Sequence, residues 1–172
     1  MIDGIAMPEA PTRRSGRKRF GKAKWDAQPT QPAEVLIATV GIPVPAAVIR
    51  HARQLSAGRP VAVLSIARMY GSSLGMPNPG LLPSRKEMDQ QLALVAEAID
   101  NLERSGVEAW GQVAATRRFA KTICQAARAH GVTQVLVISP AVPRWRQMLE
   151  GDTARDVKRR IGNEATVEGI PV

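Results

Sequence analysis

Short aliphatic runs that alternate with helix-patterned segments constrain this chain more than any other feature. Glu34-Val35-Leu36-Ile37-Ala38-Thr39-Val40 is apolar, rich in β-branched side chains, and stopped by Gly41-Ile42-Pro43. Residues 60–67, 107–113 and 133–138 repeat the pattern, and 165–170 is a weaker last instance. Runs of this kind, with no regular polar alternation, read as strands covered on both faces, and such strands belong to parallel sheets.

The segments between them carry helical spacing. Residues 45–57 place Ala46, Ala47, Ile49, Ala52 and Leu55 on one side, with Gly58 as the expected stop. Ser84-Arg85-Lys86-Glu87 has capping-box spacing, so a helix is predicted from there to about residue 105. Its apolar face is Leu92, Val95, Ala96, Ile99 and Leu102, and Gly106 closes it. Residues 117–130, ended by Gly131, and 153–161 are the remaining helices, and 71–83 reads as a long surface loop. Strand and helix in strict alternation predict an α/β fold: a doubly wound, five-stranded parallel sheet.

Residues 1–32 are different in kind. They show no apolar periodicity, and residues 11–24 hold seven cations, Arg13, Arg14, Arg17, Lys18, Arg19, Lys22 and Lys24, without an acid. Burial there cannot offset ordering entropy, so a disordered basic tail is expected ahead of a domain spanning 33–172. The net charge of +9 favours polyanionic partners. Phe20 and Trp25 lie among the tail cations, a mixture suited to RNA, where cations meet phosphates and aromatic rings stack on unpaired bases. Arg144-Trp145-Arg146 offers a second such cluster, weighed against a Trp that merely covers the sheet edge.

The order of elements over residues 34–172 resembles the universal stress protein (UspA-like) family. Residues 35–41 look like that family's opening strand, with Gly41 kept but Val40 and Ile42 where the family has Asp and Ser. Residues 123–138 are similar to its helix that runs into a buried strand. Residues 139–157 resemble its phosphate loop, Gly-x2-Gly-x9-Gly-Ser/Thr, in a degenerate form. Ser139 and Val142 take the first two glycine positions, Gly151 arrives one residue early, and Asp152 intervenes before Thr153. The resemblance implies the doubly wound fold and, in part of the family, ATP binding. Here Gly41, Ser139, Gly151 and Thr153 are the residues left to hold a nucleotide, and Asp152 opposes a phosphate by like charge. No cofactor is therefore expected as a resident group.

Nothing in the sequence arranges catalytic chemistry: there is no metal-spaced Cys/His cluster, no Gly-x-Ser-x-Gly elbow and no Walker loop. The chain is expected not to be an enzyme. Cys124 reads as core packing, and His51 and His130 as helix-end residues that cap or face solvent. Arg117, Arg118 and Lys121, with Arg155, Lys158, Arg159 and Arg160, read either as solvated helix faces or as a phosphate-contacting surface. No segment is long and apolar enough to span a bilayer, so a cytoplasmic protein without a membrane partner is expected. The leading functional expectation is a non-catalytic binding module whose tail docks on RNA, with the ribosome as one RNA-rich assembly that would suit it. The alternative is an adenine-nucleotide-sensing regulator. A homodimer through the last strand is a further expectation, although Glu168, Gly169 and Pro171 make that strand a poor ladder.

Overall fold

The structure, a computed structural model, describes residues 31–68, 83–141 and 152–172. Residues 1–30 of the tail, the long loop apart from Pro83, and the segment holding Arg144, Trp145, Arg146 and Gly151 lie outside the described residues. Five strands form one sheet: β1 (Val35–Thr39), β2 (Val61–Arg68), β3 (Ala109–Thr116), β4 (Gln134–Ser139) and β5 (Thr166–Pro171). The helices between them are α1 (Ala46–Ser56), α2 (Arg85–Arg104), α3 (Phe119–His130) and α4 (Thr153–Ile161).

The strand order is β3-β2-β1-β4-β5 and every pairing is parallel. β1 lies at the centre, with Ile37 opposite Val63 on one side and Leu136 on the other. All five of its residues are buried. Successive side chains alternate between faces: Val35 and Ile37 join Val48, Ile49, Val95, Ile99 and Leu102 beneath α1 and α2. Leu36 and Ala38 join Ile123, Ala127, Val157 and Ile161 beneath α3 and α4. The doubly wound architecture expected from the alternating runs is the one observed.

Local chemistry accounts for most boundaries. The capping box forms: Glu87 N donates to Ser84 Oγ at 3.2 Å and Ser84 N donates to Glu87 Oε2 at 2.6 Å. Hydrogen bonding to the Glu87 carboxyl from the Ser84 backbone amide foremost, and then from the Ser84 side chain, holds it below its ordinary range. α1 ends one residue before the expected stop, because Ala57 itself is left-handed (φ 48°) and Gly58 follows with φ 83°. β3 runs on to Thr116 instead of ending at 113, paired with β2 as far as Arg68 opposite Thr116. Its Gly111-Gln112 and Ala114-Ala115 lack the bulky aliphatics that mark the other strands. Gly111 is required by packing, since a Cβ there would overlap Val95 Cγ1 and lie 3.1 Å from the Val63 carbonyl oxygen. α3 starts later than expected because Arg118 N donates to Thr116 Oγ1 at 3.0 Å, which holds Arg117 and Arg118 in a turn ahead of the helix.

Candidate functional site

In an open parallel sheet every crossover leaves from the carboxyl ends of the strands, and the strands diverge where the order reverses. Here that point lies between β1 and β4, and β1 and β4 are each followed by residues marked in the sequence. Gly41 stands two residues beyond β1 with φ 68°, a left-handed conformation that suits glycine. Ser139 is the last residue of β4, one step past the Thr39–Ile138 pair. Thr153 is the first residue of α4. Three of the four nucleotide-loop candidates thus sit at one edge of the sheet, and the fourth, Gly151, is outside the described residues.

Three further polar residues shape this edge. Thr39 Oγ1 donates to the Ile42 carbonyl at 2.7 Å and accepts from Ile42 N at 3.3 Å, which closes the turn that carries Gly41. Ser65 on β2 donates to Gln91 Oε1 at 2.5 Å. The other end of that amide, Gln91 Nε2, lies where it would be 3.2 Å from a Cβ at Gly41. Gln91 was discoverable in principle: it precedes Val95 by one helical turn on the buried stripe of α2, a polar residue on an apolar face. Asp152 has a local task, as the N-cap of α4, where its Oδ1 accepts from Arg155 N at 3.2 Å.

The cations named on the third and fourth helices are brought together. α3 and α4 pack on the same sheet face, and a groove of about 790 Å³ runs between them. Arg117, Arg118, Lys121 and Arg128 line it from one side, and Thr153, Asp156 and Arg160 from the other. Cys124 borders its floor with Phe119 and Ala120; burial pushes the Cys124 thiol up, so it stays neutral, in line with a packing role.

One of the two histidines departs from the expectation. His130 does not cap α3 or face solvent: Gly131 is the C-cap, and His130 is buried against Trp110 with ring centroids 4.1 Å apart. Its Nδ1 lies 3.0 Å from the Gln31 carbonyl oxygen, and burial lowers its pKa. The chain running into β1 passes over this ring, a tertiary contact with no local sequence signal. His51 is half-exposed and pairs with Glu168 on β5 at 2.8 Å. Among the described residues no helix is long and apolar enough to cross a membrane.

These observations define a doubly wound α/β domain with polar residues gathered at its strand-order reversal. No protein-family model matches the chain, and none of the curated proteins matches it in sequence. Solved structures do. A protein of the universal stress protein family from Burkholderia pseudomallei superposes with a TM-score of 0.55 at 14% identity, over 81% of this chain and 97% of its own. A universal stress protein solved in complex with cAMP superposes with a TM-score of 0.51 at 12% identity, over 83% of this chain and 98% of its own. The chain has the universal stress protein fold.

Proposed function

We propose that this protein is a regulatory module that binds an adenine nucleotide at the carboxyl edge of its sheet. The observation that carries the reading is the convergence of Gly41, Ser139 and the Thr153 end of α4 where β1 and β4 part. The cAMP bound by one protein of the same fold supports it. Gly41 lets the backbone approach a ligand, Gln91 Nε2 offers a donor beside it, and the Thr153 hydroxyl and the first amides of α4 face an anion. Asp152 caps the Arg155 amide with a carboxylate beside the Thr153 and Ala154 amides, so the site favours a ligand with one phosphate charge over a triphosphate. The module works by binding and not by catalysis.

Isothermal titration of the full chain with cAMP, AMP and ATP tests this. Saturable binding is expected, tightest for the singly charged ligand and weakened at least tenfold in Thr153→Glu. That substitution suits a helix start while repelling phosphate. No heat with any of the three on folded protein removes the reading.

The RNA-docking role expected of the tail rests on Arg13, Arg14, Arg17, Lys18, Arg19, Phe20, Lys22, Lys24 and Trp25, with Arg144, Trp145 and Arg146, all outside the described residues. None of the similar structures speaks for RNA or the ribosome as its partner. The homodimer through β5 belongs to the same reading as an expectation, checked by sedimentation equilibrium.

A further inference from the structure

The groove between α3 and α4 is more basic than its two helices require. It is lined by five cations and a single carboxylate, Asp156. That carboxylate is engaged by Arg159 at 3.0 Å, on the same helix. The adjoining carboxylate, Glu164, takes both the Nε and an NH2 of Arg128 at 2.8 Å, and the second of these nitrogens also donates to the Arg160 carbonyl. The Arg128 fork therefore ties α3 to the end of α4 and fixes the width of the groove. Both acids are matched by cations, while Arg117, Arg118, Lys121 and Arg160 have no carboxylate partner among the described residues. All four are exposed.

Their placement is linear. α3 and α4 both start at the carboxyl edge of the sheet and run the same way, so their side chains form two rows. Along the α3 side, Arg117, Arg118, Lys121, Gln125 and Arg128 cover roughly 16 Å at about 1.5 Å per residue. The floor between the rows is uncharged: Phe119, Ala120 and the neutral Cys124 thiol. A single phosphate needs one cluster of donors. The unpaired cations are spread along the groove, Arg117, Arg118 and Lys121 at the start of α3 and Arg160 in the last turn of α4 beside Arg128, and cations so separated over apolar residues match a chain of phosphates, with the less polar parts of the ligand lying between them.

From this we infer that the α3–α4 groove is a track for single-stranded RNA, gripping its phosphodiester backbone through Arg117, Arg118, Lys121 and Arg160. Apolar residues beneath the cations suit unpaired bases, which a duplex keeps stacked within itself. The site is built from described residues and uses none of residues 1–30, and it meets the proposed nucleotide site at Thr153, which lines its α4 side.

The test uses the full chain and a fluorescent oligouridine RNA, read by anisotropy across a salt series. Arg118→Gln/Lys121→Gln/Arg160→Gln is compared with Arg50→Gln/Arg53→Gln/Lys86→Gln, which removes equal charge from exposed positions on α1 and α2. The groove variant is expected to bind at least tenfold more weakly. Its slope of log affinity against log salt should fall by about 2, since each single-strand phosphate contact contributes ~0.7. The control should change neither, and thermal melts should show both variants folded. Equal losses in the two variants would reduce the effect to net charge and overturn the assignment, and so would RNA binding untouched by the groove variant. Displacement of the RNA by inorganic triphosphate at matched phosphate concentration would also overturn it, by making the groove a small-anion site.

Discussion

The two faces of the sheet bury nearly the same thing and present opposite things to solvent. Beneath α1 and α2 lies an aliphatic layer of Val, Ile, Leu and Ala, and beneath α3 and α4 lies another. Outside, α1 and α2 carry five cations balanced by five carboxylates, whereas α3 and α4 carry six cations and one carboxylate. Burial decides the fold and is indifferent to this asymmetry. The segregated charge has no role in the core, which is the reason to assign it to a ligand.

The sharpest way to break the symmetry of the two cores is through their glycines. Gly111→Val should cost about 3 kcal/mol by urea denaturation, because the added methyls meet Val95, Ile99 and a backbone oxygen that has nowhere to go. On the other face Gly169→Ala meets only Ala154 Cβ at 2.8 Å, at the rim of an edge strand, and should cost about 1 kcal/mol. Ser84→Ala removes one arm of the capping box and should cost roughly 1 kcal/mol, confined to α2 and leaving the basic groove unchanged. Asp152→Ser keeps an N-cap acceptor and discards the charge. Stability should stay within about 0.5 kcal/mol while ATP binding tightens a few-fold more than cAMP binding, as measured by titration calorimetry.

The smallest expected effect is a pH dependence. His130 has a pKa lowered by burial, so the unfolded chain binds its proton more readily than the folded one. The contribution of its neutral form is fully present above the unfolded-state pKa and is lost as pH falls through the folded one. Melting temperature should therefore drop on acidification from neutral pH, and His130→Gln should flatten that part of the profile.

The fold was legible because its evidence is local. The aliphatic runs at β1 and β4, the Ser84–Glu87 box and Gly131 as the stop of α3 each carry their meaning in a few neighbouring residues. β3 was clipped because Gly111 and the Ala114-Ala115 pair lack bulk, although register with β2 keeps them in the strand. The carboxyl edge was half legible: glycine and hydroxyl positions could be marked, but the Ser65–Gln91 bond joins residues on different elements. The cations of α3 and α4 were visible as two lists. Nothing local states that they face each other, because their adjacency depends on β4 lying beside β1.

The make-up of β5 also bears on association in a crowded solution. A parallel sheet exposes hydrogen-bonding groups along its outermost strand, and an uncovered, regular margin invites growth by further strands. This one offers Glu168, held to α1 by His51, then a glycine, then Pro171, which has no amide hydrogen to give. Such a border recruits foreign strands poorly, so this margin of the sheet resists the stacking that leads to fibrils.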